Sequence, residues 1–204
     1  MSLSRHTLTR ALDRPPSELV GSSGHAAVAA VLAPSRGSLD DLDLLLIKRA
    51  EHRGDPWSGH LAFPGGRVEP SDTGPFAAAI RETEEEVGLA LKRGALMGQL
   101  DDLAAIGGRP GLVIRPYVFL LEAPLGALRP NPEVARIHQV PMSRLLANEG
   151  RTQMTYARRD QSFTLPCVDF DGERLWGLTL RMVDDLLDRI DQGGIGLDRI
   201  AERR

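Results

Sequence analysis

Three glutamates, Glu82, Glu85 and Glu86, stand at i, i+3 and i+4 in the stretch Phe76–Val87. On a helix turning about 100° per residue they share one patch, while Phe76, Ile80, Thr83 and Val87 form the stripe that faces a core. Glu84 falls on a flank, and Arg81 lies next to Glu85. Like charges at i, i+4 cost a helix roughly 0.2–0.5 kcal/mol per pair, and acids near a helix C-terminus oppose its dipole. One reading of the patch is a solvated acidic face. The other is a site for a hard divalent cation, because Mg²⁺ is held by carboxylate oxygens together with substrate phosphates. Pro64-Gly65-Gly66 precedes the helix across a loop holding Pro70, Asp72 and Gly74. Paired glycines can be a plain turn, or they can bring bare backbone close to an ion or ligand. Their nearness to the acidic helix favours the second reading.

The elements that must position these groups alternate in type. The sequence predicts a short helix over 5–13 that stops before Pro15-Pro16, then a linker from Ser17 to Gly24. Strands are expected over 26–33 and 42–47, joined by the turn-rich Pro34–Asp41. Gly54, Asp55-Pro56 and Gly59 make 50–60 a loop. The acidic helix over 76–87 is closed by Gly88. A strand follows over 112–122, with Pro116 pointing to an edge or a bulge. A proline-led short helix is expected over 141–147, and an amphipathic helix over 175–190. Interleaved strands and helices predict an α/β or α+β fold.

Composition excludes other classes. The 204 residues, with 42% hydrophobic and 26% charged, fit one globular domain with an extension. A net charge of −3 does not suit a duplex nucleic-acid partner. No apolar run approaches the ~18 residues that span a bilayer, and Met1–Pro16 lacks the apolar region of a secretory signal. Cys167 is the single cysteine, so it forms no disulfide within the chain and reads as a small buried hydrophobe rather than a nucleophile. These features together point to a cytoplasmic protein with no membrane partner.

The segment Gly66–Leu89 resembles the Nudix box, whose pattern is G, five residues, E, seven residues, then REUxEExGU with U aliphatic. Arg81-Glu82-Thr83-Glu84-Glu85-Glu86-Val87-Gly88-Leu89 supplies the second half, with Thr83 at an aliphatic position. Gly66 is the leading glycine. Asp72 stands where the first glutamate is usual, and eight residues separate it from Arg81 instead of seven. The resemblance implies a Nudix-type α/β/α sandwich, with a mixed β-sheet between helices, over 25–204 after an N-terminal extension of 1–24. It implies Mg²⁺ or Mn²⁺ on Glu82, Glu85 and Glu86, a backbone ligand at Gly65, and Arg81 orienting the glutamates. It also implies hydrolysis of a nucleoside diphosphate joined to another group, and many relatives are homodimers. The general base stays open between the box glutamates and Glu133, which sits where some relatives place an additional acid and reads equally as a surface acid.

Upstream, Leu45-Leu46-Ile47-Lys48-Arg49-Ala50 and Gly59-His60-Leu61-Ala62-Phe63-Pro64-Gly65-Gly66 resemble the signature of coenzyme A pyrophosphatases. Arg49, Ala50, Gly59 and Phe63 to Gly66 match. Where that signature has a second arginine this chain has Asp55, and Arg53 is the nearest arginine. Leu175-Trp176-Gly177-Leu178-Thr179 is similar to a C-terminal feature of the same branch, or is ordinary core packing by Trp176. Arginine forks suit phosphates, so Arg49, Arg53 and Phe63 are candidate substrate contacts. Coenzyme A or an acyl derivative is the favoured substrate, and ADP-ribose or another nucleoside diphosphate derivative is the alternative. A non-catalytic nucleotide-binding regulator is the alternative of another class, which the intact glutamate trio disfavours.

Overall fold

The protein was analysed as a computed structural model, which describes residues 3–36, 41–55, 57–105, 110–158, 161–170 and 172–194. Residues 37–40 of the expected turn and Pro56 of the expected loop lie outside these. In chain order the elements are α1 (Arg5–Ala11), β1 (His25–Pro34), β2 (Leu42–Arg49), β3 (Leu61–Ala62), β4 (Gly65–Arg67), α2 (Pro75–Val87), a 3₁₀ turn (Arg93–Ala95), β5 (Leu96–Gln99), β6 (Leu103–Ala104), β7 (Val113–Leu120), β8 (Val134–Pro141), α3 (Met142–Leu146), β9 (Arg151–Arg158), β10 (Gln161–Phe170), β11 (Glu173–Trp176) and α4 (Gly177–Gly194).

The main sheet runs β3-β2-β1-β7-β5, with β4 on β1, β6 on β7 and β8 on β2. β1 and β7 are parallel and their neighbours antiparallel, so the sheet is mixed. Side chains alternate across each strand. In β1, Ala27, Ala29, Val31 and Ala33 join the core beneath α2, while Ala30 and Leu32 join the core beneath α1 and α4. β2 divides likewise, Leu45 and Ile47 to one side, Leu44 and Leu46 to the other. Burial on both faces explains why these strands read as unbroken apolar runs. The result is the expected sandwich of helices about a mixed sheet. Leu8 and Ala11 of α1 are buried in the second core. No helix among the described residues is long and apolar enough to cross a membrane.

Four expectations need correction. β7 is an interior strand, not an edge. Pro116 is tolerated because it falls between β5, which ends opposite Tyr117, and β6, which begins opposite Ile114, so no ladder bond needs its missing N–H. β8 was not expected, since Val134, Ile137 and Val140 recur without a period of two. The hairpin β9–β10 was not expected either, because its outer half is largely exposed and carries no apolar alternation. Finally, the last helix starts at Gly177, and Leu175 and Trp176 end β11 instead.

Candidate active site

α2 begins at Pro75 and ends where the Gly88 N–H donates to the Glu84 carbonyl. Its buried face holds Ala78, Ala79, Thr83 and Val87. Thr83 satisfies its hydroxyl by donating to the Ala79 carbonyl at 2.7 Å, which is how a polar residue serves at an aliphatic position.

The three glutamates do not share one environment. The Glu85 side chain is 54% exposed, that of Glu82 is 19% exposed, and Glu86 is only 2% exposed. The single polar patch expected from helical geometry is therefore split by β4, which covers Glu86. The Gly65 N–H donates to Glu86 Oε2 at 2.8 Å. Burial pushes the Glu86 carboxyl up to about 7, with Glu82 and Glu133 adding to the rise and the Gly65 bond and Arg49 opposing it. Glu82 is also raised, first by burial, against the pull of Arg81 and with repulsion from Glu85 and Glu133.

The two glycines make this approach possible. A Cβ on Gly66 would lie 2.3 Å from Glu82 Oε1, and one on Gly65 would lie 2.3 Å from the Ala27 carbonyl oxygen. Gly65 also has φ +150°, which side chains rarely adopt.

Arg81 is the hub of the outer acids. Its Nε and Nη2 each reach Asp72 at 3.0 Å, its Nη1 reaches Glu82 at 3.1 Å and Glu85 at 3.0 Å, and its Nη2 also meets the Arg67 carbonyl. The Asp72 bonds hold the guanidinium more firmly protonated, and the same bonds lower the Asp72 carboxyl. Asp72 is thus an anchor for Arg81. The extra residue in its spacer is accommodated in a turn where the Asp72 N–H donates to the Glu69 carbonyl and the Glu69 N–H donates to Asp72 Oδ2.

Glu133 reaches the site from the chain that leads into β8. Arg129 and Asn131 donate their N–H groups to the Val87 and Glu86 carbonyls, and Ala50 donates to the Glu133 carbonyl. Glu133 is exposed and close enough to Glu82 and Glu86 to raise both. Among the described residues no three His, Cys, Asp or Glu side chains converge as a preformed metal cluster. The Glu82 and Glu85 carboxylates are turned to Arg81. The donor set still fits a hard divalent cation in chemistry and charge: four mutually repelling carboxylates, two of them pushed up by burial.

Beside the acids lies a cavity of about 280 Å³, lined by Gly65, Gly66, Arg49, Phe63, Trp57, His60 and Trp176 among others. Arg49, at the end of β2, donates Nη2 to Asp55 at 2.9 Å, while its Nε is buried without a hydrogen-bond partner. Asp55 thus pairs with Arg49 from the place where an arginine was sought. Arg53 is exposed and outside the cavity. Phe63 is buried at the cavity wall. Sequence reasoning passed over Trp57 and His60, and it left Trp176 between packing and function. Their closeness to the Phe63–Gly66 stretch, in a chain with only two tryptophans, was the available signal.

Residues 24–160 match the family model of the NUDIX domain. A Nudix hydrolase of uncharacterised function from Photorhabdus laumondii, NudL, is 33% identical over 88% of this chain and 91% of its own length. Among solved structures, a MutT/nudix family protein from Enterococcus faecalis superposes with TM-score 0.57 at 20% identity, over 87% of this chain and 64% of that one. The chain thus spans less than two thirds of that protein. The NUDIX domain of Shewanella oneidensis NrtR, in complex with ADP ribose, gives 0.56 at 16% identity over 83% and 90%. These two show a shared fold. The match of the family model, and a relative one-third identical along nearly the whole of both chains, place this chain in the Nudix hydrolase family as a pyrophosphohydrolase of nucleoside diphosphate derivatives.

Proposed function

We propose that the substrate is coenzyme A or an acyl derivative, cleaved at its diphosphate to adenosine 3′,5′-bisphosphate and (acyl-)phosphopantetheine. The observation that carries this reading is Arg49. It lines the cavity next to Gly65 and Gly66, lies close enough to Glu86 to offset its charge, and keeps a buried Nε–H unpaired. An unpaired buried donor costs about 1–3 kcal/mol, and a phosphate oxygen of the substrate would satisfy it. The sequence from Leu45 to Gly66 supports the same branch, although Asp55 takes the place of its second arginine.

Glu82, Glu85 and Glu86, with the Gly65 carbonyl, are the groups that would hold Mg²⁺ or Mn²⁺. Bound there, a divalent cation neutralises the diphosphate and makes a water more acidic. Arg81, fixed by Asp72, orients Glu82 and Glu85. Glu133, exposed and without an ion pair among the described residues, takes the proton of the attacking water, with Glu85 the alternative base. Phe63 bounds the substrate's path and excludes water. Arg53, exposed and outside the cavity lining, is left a contact with the substrate's outer phosphate. The chain acts as a cytoplasmic enzyme on a small nucleotide-containing molecule, and homodimerisation is the family's habit.

The test is product analysis by chromatography and mass detection with Mg²⁺ or Mn²⁺, using coenzyme A, ADP-ribose and NADH, with Glu86→Gln as control. Phosphopantetheine from coenzyme A, absent in the control, is the expected result. Cleavage of ADP-ribose alone would move the assignment to the nucleoside diphosphate sugars. Tight ligand binding without any cleavage would make the chain a nucleotide-binding regulator.

A further inference from the structure

The cavity beside the acids is small, mainly apolar and already crowded with rings. At about 280 Å³ it sits at the low end of small-molecule sites, which run to roughly 300–1,000 Å³. It can take one half of a two-part substrate and no more. Of its charged lining residues, Arg49 and Asp55 form an ion pair and Arg67 is exposed, and burial holds the His60 imidazole below its ordinary range. Trp176 has two ring neighbours, His60 at 4.5 Å and Tyr156 of β9 at 4.9 Å between centroids. Those rings occupy surface that a stacked nucleobase would need. Much of the remaining lining is aliphatic, including Val28, Ile114, Leu178 and Met182. Apart from Arg49, a guest with formal charge would find no partner along that lining.

We propose that this cavity is the subsite for the neutral, flexible, largely aliphatic arm joined to the diphosphate, with the nucleotide half lying outside it, and that Trp176 is its specificity-determining wall. The assignment rests on the coenzyme A reading for the identity of the arm. Tyr156 is a positioning residue: through its ring contact the hairpin β9–β10 holds Trp176 in place, which gives that projecting element a role in choosing substrates.

The chain carries its own reporter, because both of its tryptophans, Trp57 and Trp176, line the cavity. Tryptophan emission of the full chain is followed while free pantetheine, which lacks phosphate and nucleotide, is titrated in. A parallel titration uses adenosine monophosphate. The expected result is a saturable change with pantetheine, weakened at least about tenfold by Leu178→Arg, which puts a charge into the apolar lining. Leu178 is only half-buried, and Leu178→Phe, which fills the same space without charge, is the second variant; it weakens pantetheine too. Tyr156→Ala raises KM for coenzyme A, and Tyr156→Phe restores it, because the ring and not the hydroxyl makes the contact. A change with adenosine monophosphate and none with pantetheine would overturn the assignment, placing the base in the cavity. Pantetheine binding by a protein that leaves coenzyme A uncut sinks the substrate reading alone. Cleavage of coenzyme A with no pantetheine response sinks the subsite alone.

Discussion

Two networks of arginine and carboxylate are built from the same chemistry to different ends. In the first, Arg189 donates Nε to Asp185 at 2.9 Å and Nη2 to Asp101 at 2.5 Å, Arg14 meets Asp101 at 3.0 Å, and Arg115 grips Asp102 at 3.0 and 2.8 Å. Asp101 and Asp102 also accept the N–H groups of Ser17 and Leu19, which fastens the N-terminal segment across α4 and β7. Three arginines answer three aspartates and Glu18, which also pairs with Arg115 at 3.3 Å. In the second, Arg81 alone is bonded to Asp72, Glu82 and Glu85, and Glu86 and Glu133 stand close by. The nearly balanced network is a clasp. The unbalanced one stores repulsion that a bound proton or an added cation would relieve, and that imbalance is what separates a site from a scaffold.

Breaking the clasp has the largest effect. Arg189→Met removes a side chain that is 1% exposed and leaves Asp101 and Asp185 short of a partner, so chemical denaturation should show a loss of about 3–5 kcal/mol, with kcat per folded molecule retained. Neutralising the site does the reverse. Glu86→Gln should lower kcat on the order of 10²–10³-fold, the scale of removing one group that steadies transition-state charge. Its melting temperature without metal should hold or rise, because a buried charge has gone. A fall in both quantities would erase the distinction between the two networks.

Titration sharpens the comparison. The folded Glu86 carboxyl lies near 7, above its ordinary 4.5, so the folded state binds that proton more tightly than the unfolded chain. The contribution is complete below about 4.5 and is lost as pH rises through 7. Metal-free melting temperatures should therefore fall over that window, and saturating Mg²⁺ or Mn²⁺ should cancel the fall. Glu86→Gln should remove the share of the slope that Glu86 supplies, leaving that of Glu82. The smallest pair of effects separates two arginines: Arg49→Ala should raise KM about tenfold, the value of one charged hydrogen bond, while Arg53→Ala should leave KM within about twofold, as an exposed side chain does.

Much of this was legible in the sequence because it depends on local period. The strands β1 and β2 announce themselves by length and apolar content, and the acidic helix by its 3.6-residue repeat. The separation of Glu86 from Glu82 and Glu85 was not legible, since it comes from β4 lying across the helix, a contact between residues 21 apart. Nor was the role of Asp72, whose spacing departs from the family pattern and whose bidentate grip on Arg81 depends on the turn at Glu69. Asp55 opposite Arg49 shows the same limit: counting residues located the position, but only the folded loop shows which charge it answers. The β9–β10 hairpin was missed because exposed strands carry no burial pattern to read.

The chain from Arg129 to Glu133 is fixed to its surroundings mainly through backbone groups: Arg129 and Asn131 donate to α2 carbonyls, and Ala50 donates to the carbonyl of Glu133 itself. Main-chain bonds do not depend on the identity of the side chains they carry. Glu133 can therefore be exchanged in evolution without disturbing the frame that presents it. The segment is a mutable socket, where a different side chain can be presented at little risk to folding.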